Sequence, residues 1–161
     1  MSLLDPAQRT ARGLALQAEV TGQRPPRPAT LLDEPWRDFV YAEVWNRPGL
    51  DRRSRYLISL ASAAMSNGPT AILDGYVRGA LAGKELTLGE LREAALHLAV
   101  YGGWSRATEL DMAITRVADA LGLAREGNGL GGRRIRGASN HGDSRRERVP
   151  DLGPQLNLLL G

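Results

Sequence analysis

Breakers set the plan of this chain. Thr21-Gly-Gln-Arg-Pro25-Pro26-Arg-Pro28, Pro48-Gly49, Asn67-Gly68-Pro69 and Gly102-Gly103 interrupt residues 1–124. Proline and paired glycine stop regular structure at each of these places. Between them, apolar residues recur at helical spacing. Asp5-Pro6 is an N-cap before a proline at the first helical position, and Leu14, Leu16 and Val20 follow, so a helix is expected over residues 6–20. Trp36, Phe39, Val40 and Val44 share one face of a second helix, expected over residues 34–45, with Glu43 one residue off the centre of that face. Asp51 caps a third helix whose inward residues are Leu57, Leu60, Ala61 and Ala64. A fourth, over residues 70–82, turns Leu73, Val77, Ala80 and Leu81 inward. Thr87-Leu-Gly-Glu90 is a capping box with Leu86 and Leu91 as its hydrophobic staple, and it opens a fifth helix over residues 88–101. Ser105 is placed to cap a sixth, in which Ala107, Leu110, Ile114, Val117, Ala118 and Leu121 keep one phase.

Composition agrees with an all-α bundle of about six helices, since strand-forming aromatics are few, with one Phe and four Tyr. At 161 residues and 42% apolar the chain can enclose one core. It has no cysteine, which removes disulfides, thiolate metal ligands and any Cys-x-x-Cys redox pair. Its two histidines, His97 and His141, are too few to suggest a zinc site. No cofactor and no metal are expected. Asp5, Arg9 and Arg12 break the apolar runs that a signal peptide would need, and no run reaches membrane-spanning length, so a cytoplasmic protein is expected. Residues 1–124 carry 14 basic and 14 acidic side chains, whereas residues 125–161 carry 7 and 4, which places the net charge of +3 in the tail. That tail is rich in Gly and Arg, lacks aromatics between its arginines, and is expected to be disordered rather than a nucleic-acid arm.

The chemistry-bearing stretch is Glu43-Val-Trp45-Asn-Arg47-Pro-Gly-Leu50-Asp51-Arg52-Arg53-Ser-Arg55, where four arginines crowd a turn beside one carboxylate. That concentration suggests an anion site. Arg47 and Arg55 are placed to grip a substrate carboxylate, and Arg52 and Arg53 to face solvent. Glu43 is either a relay in the pocket or the ion-pair partner of Arg47 or Arg55. His97, between Leu96 and Leu98, is either a satisfied core or interface residue or a pocket residue. Tyr101 and Trp104 bracket Gly102-Gly103 and suit either a flat apolar pocket wall or ordinary aromatic packing.

Three ordered words, Phe39-x3-Glu43-Val-Trp45-x-Arg47-Pro-Gly-Leu50-x-x-Arg53-x-Arg55, Tyr76-Val-Arg-Gly-Ala80-Leu81 and Glu93-x3-His97-x-Ala99-Val-Tyr101-x-Gly103-Trp104, resemble the carboxymuconolactone decarboxylase family over roughly residues 35–122. The resemblance implies the all-helical fold of the alkylhydroperoxidase D-like proteins and a homotrimer or homohexamer with sites near subunit contacts. It divides the chain into an N-terminal helix and Pro-rich linker (1–31), a helical domain (32–124) and the tail (125–161). Without thiols the superfamily's peroxidase chemistry is excluded, which leaves a cofactor-free decarboxylase acting on a carboxylated cyclic small molecule. On that reading Tyr76, His97 and Glu43 are catalytic and Arg47, Arg55, Tyr101 and Trp104 bind substrate. One departure stands out: the family usually has a histidine where this chain has Tyr76, and a phenol is a poor base at neutral pH. The alternative is a family member that binds a ligand or protein partner without turnover.

Overall fold

The computed structural model describes residues 4–66 and 68–123, and the tail expected to be disordered, together with His141, lies outside the described residues. Among the described residues every regular element is helical: α1 (Pro6–Thr21), α2 (Asp33–Trp36) running directly into a π-helix (Arg37–Trp45), α3 (Arg52–Met65), α4 (Thr70–Ala82), α5 (Leu88–Gly102) and α6 (Trp104–Ala120). Local chemistry fixes most ends. The Asp5 carboxylate accepts the Ala7 N–H at 3.0 Å, and that of Asp51 accepts the Ser54 N–H at 2.7 Å. Thr87 and Glu90 close the capping box reciprocally, and the staple residues Leu86 and Leu91 are buried. Gly22, in the left-handed region at φ 63, ends α1 while the Gln23 N–H reaches back to the Ala18 carbonyl.

Two expectations are corrected. α6 begins at Trp104 with no side-chain cap, because Gly103 at φ 93 makes the turn itself, and Ser105 lies inside the helix. The second helix departs from an α-helical face. Its i→i+5 bonding widens the turn beyond the roughly 3.6 residues of an α-helix, so Arg37, Tyr41, Ala42, Glu43 and Trp45 are buried. Phe39, expected to face inward, is 53% exposed.

α1 packs against the π-helix and α4, α3 against α4, α5 and α6, and α5 against α6. The core runs from Val20 through Leu60, Val77 and Leu91 to Leu110 and Ile114. Its tightest point joins three helices. A methyl group on Gly79 of α4 would collide with the Val20 carbonyl of α1 and come within 2.8 Å of the Tyr56 hydroxyl of α3. That hydroxyl donates to the same Val20 carbonyl at 3.0 Å. Glycine at position 79 therefore sets how closely α1 and α4 approach.

Candidate functional site

The arginine-rich turn is spent largely on itself. Arg55 donates from Nε to the Leu50 carbonyl at 3.1 Å and from Nη2 to the Arg47 carbonyl at 2.7 Å, which staples residues 47–50 to the start of α3. Arg52 reaches Glu19 at 3.3 Å. Arg47 is exposed on the turn. Glu43 pairs with neither Arg47 nor Arg55. Its buried carboxylate instead accepts the Arg9 Nε and the Leu4 N–H from the α1 end of the chain, both at 3.0 Å.

Tyr76 is buried in an aromatic box. Its ring stacks on Trp45 at 5.8 Å, Trp45 meets the edge of Tyr56 at 5.0 Å, and Trp36, Tyr41 and Trp45 continue the series along the π-helix. The wide π turn brings Trp36 and Tyr41, five residues apart, to 5.1 Å. Burial pushes the Tyr76 hydroxyl above its ordinary pKa, against hydrogen bonding with Tyr41 and Trp45 that lowers it. Burial also raises Tyr41, and it pushes Tyr56 up to about 12. Tyr76 lines a small cleft of about 300 Å³ with Ser59, Ser62 and Ile72, and His97 is not among its lining residues.

His97 belongs to a larger groove of about 790 Å³ between α3 and α5, whose apolar floor is Leu57, Leu60, Ala61 and Leu98. The helical step from 97 to 101 places the Tyr101 ring 4.7 Å from the imidazole. Glu93, one turn earlier, lines the same wall. At one end Arg53 pairs with Glu90 at 2.9 Å and donates to the Glu85 carbonyl at 3.3 Å. Glu90 is the carboxylate of the capping box, so one residue starts α5 and fixes the groove's cation. The Arg53 hydrogen bond, with the Thr87 N–H and hydroxyl, holds the Glu90 carboxyl down to about 2. The sequence reading missed Arg53 as a groove residue. The signal was present in the capping-box glutamate, but the contact from α3 to α5 is tertiary.

The structure therefore brings His97 and Tyr101 together and lines their groove with Arg53, Glu90 and Glu93, whereas Tyr76 and Glu43 are committed to packing elsewhere. Trp104, 73% exposed, stands beyond Gly103 with Val100 and Tyr101. Among the described residues no group of three or more His, Asp or Glu side chains could hold a metal ion. No helix among them is long and apolar enough to cross a membrane.

Residues 31–126 match the model of the carboxymuconolactone decarboxylase family. A 4-carboxymuconolactone decarboxylase of Acinetobacter baylyi is 30% identical over 127 residues, covering 74% of this chain and 93% of that relative. The nitrosuccinic acid decarboxylase npaB of Metarhizium robertsii is 39% identical over 83 residues, 48% of this chain and 55% of the relative. No solved structure matches the chain at a significant level.

Proposed function

The chain belongs to the carboxymuconolactone decarboxylase family, and from that premise we propose that it is a cofactor-free decarboxylase of a carboxylated cyclic small molecule, working in the groove between α3 and α5. One observation carries this reading: His97 and Tyr101 face each other in the groove that also holds the Arg53 guanidinium. Imidazole is the side chain best suited to exchanging a proton near neutral pH.

Arg53 holds an anionic group of the substrate, and Tyr101 forms the wall against its ring. The bond from ring carbon to carboxylate breaks heterolytically, carbon dioxide leaves, and the electron pair passes into the substrate's own carbonyl as an enolate. Protonated His97 then gives its proton to the carbon, and water restores it. Copies of the chain assemble through the apolar corner of Val100, Tyr101 and Trp104, which closes the open side of the groove.

The test incubates the full chain with carboxylated lactones and β-keto acids and measures release of carbon dioxide, with light scattering on the same preparation. Turnover that falls about 100-fold or more in His97→Gln is expected. Undiminished turnover in that variant would sink the assignment. A second reading, binding without turnover, is favoured by Tyr76, which stands where the family usually has histidine and is buried in the aromatic box. Ligands that raise Tm while none loses carbon dioxide would select that reading.

A further inference from the structure

Away from the groove, α1 and the Pro-rich segment that follows it enclose a cleft of about 770 Å³. Its walls are apolar, with Leu14 and Ala18 on α1 and Pro26 and Pro28 opposite. The segment is held at both ends. The Gln23 N–H is tied to the Ala18 carbonyl at 3.2 Å, and the Ala29 and Thr30 N–H groups both donate to the Asp33 carboxylate, at 2.7 and 2.8 Å. Prolines between those anchors restrict it further, so the cleft is formed in advance of any ligand.

Arg37, at the start of the π-helix, reaches this cleft with a side chain only 7% exposed. Its Nε is bound to Asp38 Oδ1 at 2.7 Å, and Asp38 is in turn fixed by the Thr10 hydroxyl at 2.6 Å. Neither Nη nitrogen has an acceptor among the described residues. No buried side-chain nitrogen or oxygen among the described residues lacks a hydrogen-bond partner, so these Nη groups meet solvent through the cleft and present an accessible donor edge there. Arg24 and Arg27 add cations to the lining, against the single carboxylate of Glu34.

We propose that this cleft binds a small organic carboxylate with an apolar body, anchored on the open edge of Arg37. The Nη pair offers the parallel donors that a carboxylate accepts in bidentate fashion. Leu14, Ala18 and the prolines cover the hydrocarbon part, and Arg24 and Arg27 draw the anion in from the rim. A fully hydrophilic anion such as phosphate gains nothing from those walls. Most of the cleft comes from residues 10–28, ahead of the family-matched residues 31–126, so the site is separate from the groove of His97.

Calorimetric titration of the full chain with benzoate, and in parallel with inorganic phosphate, tests this. Saturable benzoate binding that is tighter than phosphate, weakens about 10-fold or more in Arg24→Ala/Arg27→Ala, and is unchanged in His97→Gln is expected. Both rim arginines are exposed, so that double variant keeps the fold even where Arg37→Met does not. Benzoate binding that is absent, equal in the double variant, no tighter than phosphate, or lost in His97→Gln overturns the proposal. Failure here leaves decarboxylation in the groove untouched, because that is read from carbon dioxide release.

Discussion

The aromatic box around Trp45 and the groove beside His97 draw on similar side chains and put them to opposite use. In the box, Tyr41 and Tyr56 are 1% exposed, their rings interlock, and burial holds the phenols protonated. In the groove, Tyr101 is 78% exposed beside an exposed imidazole, with a guanidinium held by a carboxylate at one end. Enclosed aromatic hydroxyls stabilise the fold and are withdrawn from proton exchange. Exposed ones with charge nearby are free to act on a ligand.

The sharpest way to break this contrast is to empty the box. Trp45→Ala removes the ring on which Tyr41, Tyr56 and Tyr76 pack, and a loss of about 4 kcal/mol is expected in denaturant unfolding. A loss below about 1 kcal/mol would mean that the box carries little of the stability. Tyr76→Phe is subtler. It deletes one hydroxyl that is hydrogen-bonded with Tyr41, so stability falls by about 1 kcal/mol while any turnover stays within about twofold of the parent. A large fall in rate with an unchanged Tm would move the proton donor from the groove into the box.

The smallest effect concerns the groove's own ion pair. Glu90 has a folded pKa of about 2 against an ordinary value of 4.5, through Arg53 and then Thr87. A depressed carboxyl stabilises the fold above the higher value and loses that contribution as pH falls through the lower one. Glu90→Gln therefore flattens the acid limb of unfolding between pH 4.5 and 2, followed by circular dichroism. An unchanged acid limb would show that the pair does not couple to folding.

Helix ends that depend on nearby residues were legible in the sequence. The expected span of residues 70–82 coincides with α4, and the capping box opens α5 where Thr87 and Glu90 place it. The face of the second helix was not, because its i→i+5 bonding gives it a different period from the α-helical one used to read it. Reading it with the α-helical period turned Phe39 inward and left Tyr41 unnoticed. Among candidate site residues, His97 and Tyr101 were each singled out, but separately; the four-residue helical step that brings their rings to 4.7 Å was not drawn from the sequence. Nor was the partner of Glu43, since Arg9 is 34 residues away in sequence. Arg53 is exposed, as expected, but its pairing with Glu90 across the groove was not legible, because that contact joins α3 to α5.

The contact of Gly79 with Val20 bears on how the protein can be cut. α1 precedes the family-matched residues 31–126, and trimming the chain to that stretch looks harmless on an alignment. It would strip the acceptor from the Tyr56 hydroxyl, take Arg9 from the buried Glu43 carboxylate, and leave the bare backbone of Gly79 facing water. For expression, fusion or domain grafting, the unit to carry is one that begins no later than Leu4, whose N–H also meets the Glu43 carboxylate.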